Sequence, residues 1–200
     1  MEQKEKVIKR VHEHYDELVK RGYNVVVLAL QGSQNYGLDI YSDEYMSDVD
    51  TKAMVLPSLD DIILNRAPVS TTIVLENNEH IDVKDIRLMK EMFLKQNVSY
   101  LELLFSAYVV CNPDYLDLVE ELYDKADEIV LYNNITFYKS IKGMALEKLK
   151  ALQHPYPTTM DKIEKFGYDP KQLHHIVRLS DMVGQLRNGE PFREALIPYN

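Results

Sequence analysis

Near the start of the chain, apolar residues fall at Val7, Ile8, Val11, Tyr15, Leu18 and Val19, a spacing of three and four that predicts an amphipathic helix over 2–21 closed by Gly22. The period then changes. Asn24 to Leu30 (NVVVLAL) is a continuous β-branched run, the pattern of a strand buried on both faces. After Gly32-Ser33 and a polar stretch from Leu38 to Ser47, Asp48 to Leu56 (DVDTKAMVL) alternates as a strand and stops at Pro57. Leu59 to Leu64 predicts a short helix. Ser70 to Leu75 and His80 to Val83 predict a hairpin turned by Glu76-Asn77-Asn78-Glu79, since asparagine tolerates left-handed backbone. From Ile86 the period is helical, over 86–96, 98–106, 113–124, 133–153 and 171–188, with breaks at Pro113, between His154 and Pro157, and at Pro170. The expected class is α/β: a domain with a small mixed sheet over 1–110, then a helical C-terminal region over 111–200 that closes a cleft.

Composition narrows the setting. At 200 residues and 46% hydrophobic content the chain can bury a substantial core. A single cysteine, Cys111, makes no internal disulfide and no thiolate zinc site, which fits a reducing compartment and an expected cytoplasmic location. No signal peptide or anchor is visible, and the longest apolar run, Val25 to Leu30, is too short to span a membrane, so no membrane partner is expected. The formal charge of −9 argues against nonspecific coating of nucleic acid, which lysine and arginine drive by releasing counterions. That charge is uneven: residues 1–133 hold 13 basic and 25 acidic residues, and residues 134–200 hold 10 and 7. An acidic part can supply metal ligands and a basic part phosphate contacts, although surface charge also drifts along chains without a role.

Candidate chemistry lies in the sheet region. Asp48 and Asp50 are separated by one residue, so in a strand both side chains point to one face, where they repel unless a cation sits between them. Asp82, between Ile81 and Val83, faces away from those apolar neighbours and can supply a third carboxylate. Hard cations such as Mg²⁺ take such oxygens, and two of them about 3.5–4 Å apart can activate an attacking oxygen and stabilise a leaving one. Gly32-Ser33 precedes a predicted helical turn through Gln34, Asn35 and Tyr36, where backbone N–H groups and a hydroxyl can cradle phosphate. Gly37 is expected to end that turn in a backbone conformation other residues disfavour. Each piece alone has an ordinary structural reading: a turn, a solvated strand start, a strand aspartate. Their order is what points to a site. The loop acids Asp39, Asp43 and Glu44 lack EF-hand spacing and are read as loop charges.

The ordered set of strand, Gly-Ser, short helix, Asp-x-Asp and apolar-Asp-apolar strand resembles the signature of the DNA polymerase beta nucleotidyltransferase superfamily over residues 24–84. The resemblance implies a polymerase-beta-like fold, Gly32 and Ser33 on the triphosphate, Asp48, Asp50 and Asp82 as catalytic metal ligands, and two Mg²⁺ ions, with Mn²⁺ as a substitute. One departure is that 14 residues separate Ser33 from Asp48, more than is usual there, which lengthens the Leu38 to Met46 loop. A narrower resemblance, to the RNA-repair-associated polymerase-beta-like nucleotidyltransferases, is carried by GSQNYGLDIYSDEYMSDVD, NVSYLELLFS and YDPKQLHHIVRL. It implies a phosphate-facing role for Lys171, His175 and Arg178, whose spacings of four and three share one helical face. The ordinary reading is a solvated basic face with a core histidine. Glu102 is a candidate buried partner of Arg178, and Tyr36 a candidate nucleotide contact.

The implied activity is template-independent transfer of a nucleoside monophosphate from an NTP to a hydroxyl, with an RNA or tRNA end as the favoured acceptor. Transfer to a protein or small molecule, and a regulatory protein that binds nucleotide without turnover, as in a toxin–antitoxin pair, stay open because the residues do not choose among them.

Overall fold

The computed structural model describes residues 3–39 and 47–199, so the 40–46 part of the polar loop, with Asp43 and Glu44, lies outside the described residues. By contacts the chain divides into two units, residues up to 94 with 99–129, and 95–98 with 130–200. Among the described residues no helix is long and apolar enough to cross a membrane.

The first unit is built on a five-stranded mixed sheet with strand order β3-β4-β2-β1-β5. Helix α1 (Gln3–Lys20) leads into β1 (Asn24–Gln31), β2 (Asp50–Leu56), α2 (Leu59–Ile63), β3 (Ser70–Val74) and β4 (His80–Asp85). Helix α3 (Ile86–Leu94), α4 (Val98–Leu101), β5 (Val109–Cys111), α5 (Leu116–Asp124) and α6 (Ala126–Leu131) follow. The β1–β2, β1–β5 and β3–β4 pairs are antiparallel, and β2–β4 is parallel. At the hairpin between β3 and β4, Asn78 takes φ 65°, the left-handed conformation expected of asparagine there.

Strand periodicity sends two sets of side chains to two faces. Leu28, Leu30, Ala53, Val55, Ile81 and Val83 pack with Val7, Val11 and Leu18 of α1. Val26, Val27, Ala29 and Met54 pack with Met89, Leu103 and Val119 on the other side. Val26 and Val27 share that face because the register with β2 shifts between Val25 and Val27, a bulge that leaves Val26 without a β2 partner. β5 has three residues and was not anticipated from the sequence; its pairing of Leu28 with Val110 closes the β1 edge.

His14 lies within the apolar stripe of α1 and is fully buried. The Thr51 hydroxyl donates to its Nδ1 at 2.9 Å, and its Nε2–H donates to Glu79 Oε2 at 2.9 Å. Arg10 Nε also donates to that oxygen, at 2.9 Å. This network fastens α1 to β2 and to the residue before β4. Burial lowers the His14 pKa below its ordinary value despite the opposing pull of the Glu79 carboxylate, so the ring is neutral at physiological pH and Nδ1 is free to accept from the Thr51 hydroxyl.

The second unit is helical: α7 (Asn134–Ala151), α8 (Met160–Phe166), α9 (Pro170–Arg187) and α10 (Phe192–Ala195). Its buried residues include Phe137, Ile141, Leu179, Met182 and Phe192, with Phe137 edge-on to Phe192 at 5.8 Å. Asp169 caps α9 by accepting from Lys171 N, and Pro170 occupies the first turn, where its missing N–H costs nothing.

The His14 shift fixes a pH dependence. A neutral imidazole favoured by the folded state contributes stability above the unfolded-state pKa of about 6.5, and that contribution is lost as pH falls below it. Urea unfolding should therefore show wild-type stability dropping from about pH 7.5 to about pH 5.5, with a shallower drop in His14→Gln. Stability that rises over that window would contradict the neutral ring.

Candidate functional site

Three strands deliver the predicted residues to one end of the sheet. β1 ends at Gln31, which pairs with Asp50 at the start of β2, so the Gly32-Ser33 turn lies beside Asp48 and Asp50. β4 runs parallel to β2 with Lys52 opposite Asp82, which sets Asp82 two residues along from Asp50 on the neighbouring strand. Standard strand spacing puts their Cα atoms about 8 Å apart on the diagonal. Thr51, Ile81 and Val83 face α1, so Asp50, Lys52 and Asp82 share the opposite face.

The turn after β1 is a 3-10 helix, Ser33–Tyr36, flanked by Gly32 at φ 81° and Gly37 at φ 66°. Both φ values belong to the region that favours glycine. A side chain at Gly32 would meet nothing within 4 Å, so it is the backbone conformation that requires glycine there. Gln34 Nε2 donates to the Ser47 carbonyl at 3.2 Å, and the Asn35 amide oxygen accepts from Ala107 N at 2.9 Å. These bonds tie the turn to the segments entering β2 and β5. Tyr36 is buried and its hydroxyl donates to Glu102, so its ring is a packing element of this turn.

The three carboxylates meet different surroundings. Asp48 is exposed and makes no hydrogen bond or ion pair to another described residue. Asp50 Oδ1 accepts from the His80 backbone N–H at 2.9 Å and lies 3.2 Å from His80 Nδ1. Asp82 Oδ2 lies 3.2 Å from Lys52 Nζ and accepts a long bond from the Tyr100 hydroxyl at 3.4 Å. Among the described residues no three His, Cys, Asp or Glu side chains are gathered into a ready cation cluster. The strand expected from Asp48 begins at Asp50, so Asp48 lies in the segment entering β2; the donor types nonetheless suit a hard divalent cation, with carboxylates at Asp48, at Asp50 and on the next strand at Asp82. Asp48, exposed and without a hydrogen bond or ion pair to another described residue, is the carboxylate open to such an ion.

Lys52, His80 and Tyr100 were not singled out from the sequence. The signal for Lys52 was its parity with Asp48 and Asp50, which places a cation on the acidic face. Burial pushes the Lys52 ammonium below its ordinary range, opposed chiefly by Asp82 and then by Glu102. On the α1 side, a cavity of about 360 Å³ opens beside Asp48, lined in part by Lys6, Arg10, Val49, Asn77 and Glu79.

In the helical unit, Lys171 is exposed, His175 half-buried and Arg178 buried on α9. His175 is pushed down to about 4, by burial first and then by the positive charges of Arg178, Lys148 and Lys171. The imidazole is therefore neutral at physiological pH and can offer an N–H, not a charge, to an anion.

No protein-family model matches the chain, and the search of curated proteins found no matching relative.

The His175 environment can be read directly. In an NMR titration, the histidine resonance that disappears in His175→Gln should stay neutral down to about pH 5 and shift to a higher midpoint when tripolyphosphate is added. A midpoint near about 6.5 without the anion would contradict the burial of the ring beside those cations.

Proposed function

We propose that this chain is a metal-dependent nucleotidyltransferase with a polymerase-beta-like catalytic domain, moving a nucleoside monophosphate from an NTP to a hydroxyl on an RNA end. The observation that carries this reading is the convergence of the Gly32-Ser33 turn, the Asp48/Asp50 pair and Asp82 at one end of the sheet. Two things support it: the sequence order resembles a nucleotidyltransferase signature, and the strand register has Gln31 opposite Asp50 and Asp82 opposite Lys52.

In this reading an acceptor hydroxyl oxygen bonds to the α-phosphorus of the NTP, the bond to the β-phosphate bridging oxygen breaks, pyrophosphate leaves and the hydroxyl proton passes to water. Asp48, Asp50 and Asp82 would hold Mg²⁺, which supplies Lewis-acid stabilisation of the charge on the attacking and leaving oxygens. Backbone N–H groups and the Ser33 hydroxyl of the glycine-flanked turn bind and orient the triphosphate. By the narrower resemblance, Lys171, His175 and Arg178 of α9 are the phosphate-facing candidates of the helical unit, with His175 offering an N–H and no charge.

Pyrophosphate release from each NTP with Mg²⁺, with and without bulk tRNA, tests the proposal. Wild type should release pyrophosphate in an RNA-dependent way, and Asp48→Ala and Asp50→Ala should lose at least about 100-fold, the scale on which removing one fixed transition-state contact acts. Full activity in either variant would sink the reading. Release that follows added protein instead of RNA would reassign the acceptor, and NTP binding without any release would point to a regulatory nucleotide-binding role.

A further inference from the structure

Lys52 is a long cationic side chain only 5% exposed, on the face of the sheet that carries the candidate metal ligands. Three contacts fix its ammonium: Asp82 Oδ2 at 3.2 Å, the Ser99 carbonyl oxygen at 3.1 Å, and the ring of Tyr100, whose centroid is 3.8 Å away. The Tyr100 hydroxyl reaches the same Asp82 oxygen, so lysine, tyrosine and aspartate are joined, with Lys84 also over the Tyr100 ring at 5.4 Å from its centroid. Lys84, the next residue on that face, donates instead to Ser70 Oγ at 2.5 Å. Lys52 is thus the cation that meets Asp82.

Stability does not explain such a group. Burying an ion pair costs about as much in lost hydration as attraction returns, and well-packed apolar residues of similar volume are often as good or better. What the pair does achieve is to place a fixed positive charge against one carboxylate of an acidic face, while the exposed Asp48 is left uncompensated.

We infer that Lys52 is a tethered counter-cation for Asp82, a positioning residue that holds this carboxylate in place and keeps it from binding a metal ion until nucleotide arrives. In the nucleotide-free protein a divalent cation is then held through Asp48 and Asp50 alone, and Asp82 is recruited only when a triphosphate brings its own negative charge. The inference rests on the nucleotidyltransferase reading, because it assumes that this acidic face is a metal site.

Mn²⁺ binding followed by electron paramagnetic resonance, without nucleotide, tests it. Asp50→Asn should weaken binding by at least about tenfold, whereas removing both partners in Lys52→Met/Asp82→Asn should change it by less than about twofold, because the pair carries no net charge. Lys52→Met, with folding checked by near-ultraviolet circular dichroism, should bind Mn²⁺ at least about tenfold more tightly, an increase that Asp82→Asn removes and that Lys52→Arg does not show. Lys52→Met/Asp82→Asn weakening Mn²⁺ as much as Asp50→Asn, or a folded Lys52→Met binding as wild type does, overturns the counter-cation role while leaving the metal site intact. Binding indifferent to Asp50→Asn removes the metal site itself, and both readings fall.

Discussion

Carboxylates gathered on one face of a sheet repel, and a fold that gathers them must meet each with a donor, a cation or water. The register of β2 against β4 creates this problem here, since it sets Asp82 level with Lys52 and one diagonal step from Asp50. The solutions differ along the face. Asp82 has an ammonium beneath it, Asp50 has the N–H and ring of His80, and Asp48 is left to solvent. Charge compensation is therefore complete in the interior and fades toward the sheet end, where an external cation can approach.

The opposite face supports that arrangement with apolar packing and one polar clamp. Thr51 follows Asp50, and its hydroxyl is bonded to the buried His14 of α1. Glu79 precedes His80, the donor to Asp50, and binds the same histidine. A single buried imidazole thus fixes the neighbours of both strand starts that carry the site. Rigid elements on both strands are what a site of this kind needs, since small displacements of ligands weaken it.

Much of the sheet was legible because its signals are local. The helix expected over 2–21 is Gln3–Lys20, the hairpin turns at Asn78, and Gly37 ends its turn at φ 66°. β5 was not legible: three residues carry no periodicity, and Val109–Cys111 is a strand only because β1 lies beside it. The short helices α6 and α10 likewise depend on packing, through Ala126, Val130, Phe192 and Ala195, more than on pattern. His14 reads as a polar residue in an amphipathic helix, yet it is buried in one stripe with Val7, Val11 and Leu18, whereas Val19, expected in the core, is exposed. Parity in β2 placed Lys52 on the acidic face in the sequence itself. Its partner is set by the parallel β4 pairing across 30 residues, which no local pattern encodes.

The proposed reaction forms its new bond to the α-phosphorus of a nucleoside triphosphate. Parallel incubations with α-³²P-labelled and γ-³²P-labelled NTP, Mg²⁺ and RNA decide it most directly. The account predicts that the α label becomes fixed to RNA while the γ label appears in free pyrophosphate; γ label on the acceptor, or no transfer of either label, would contradict it.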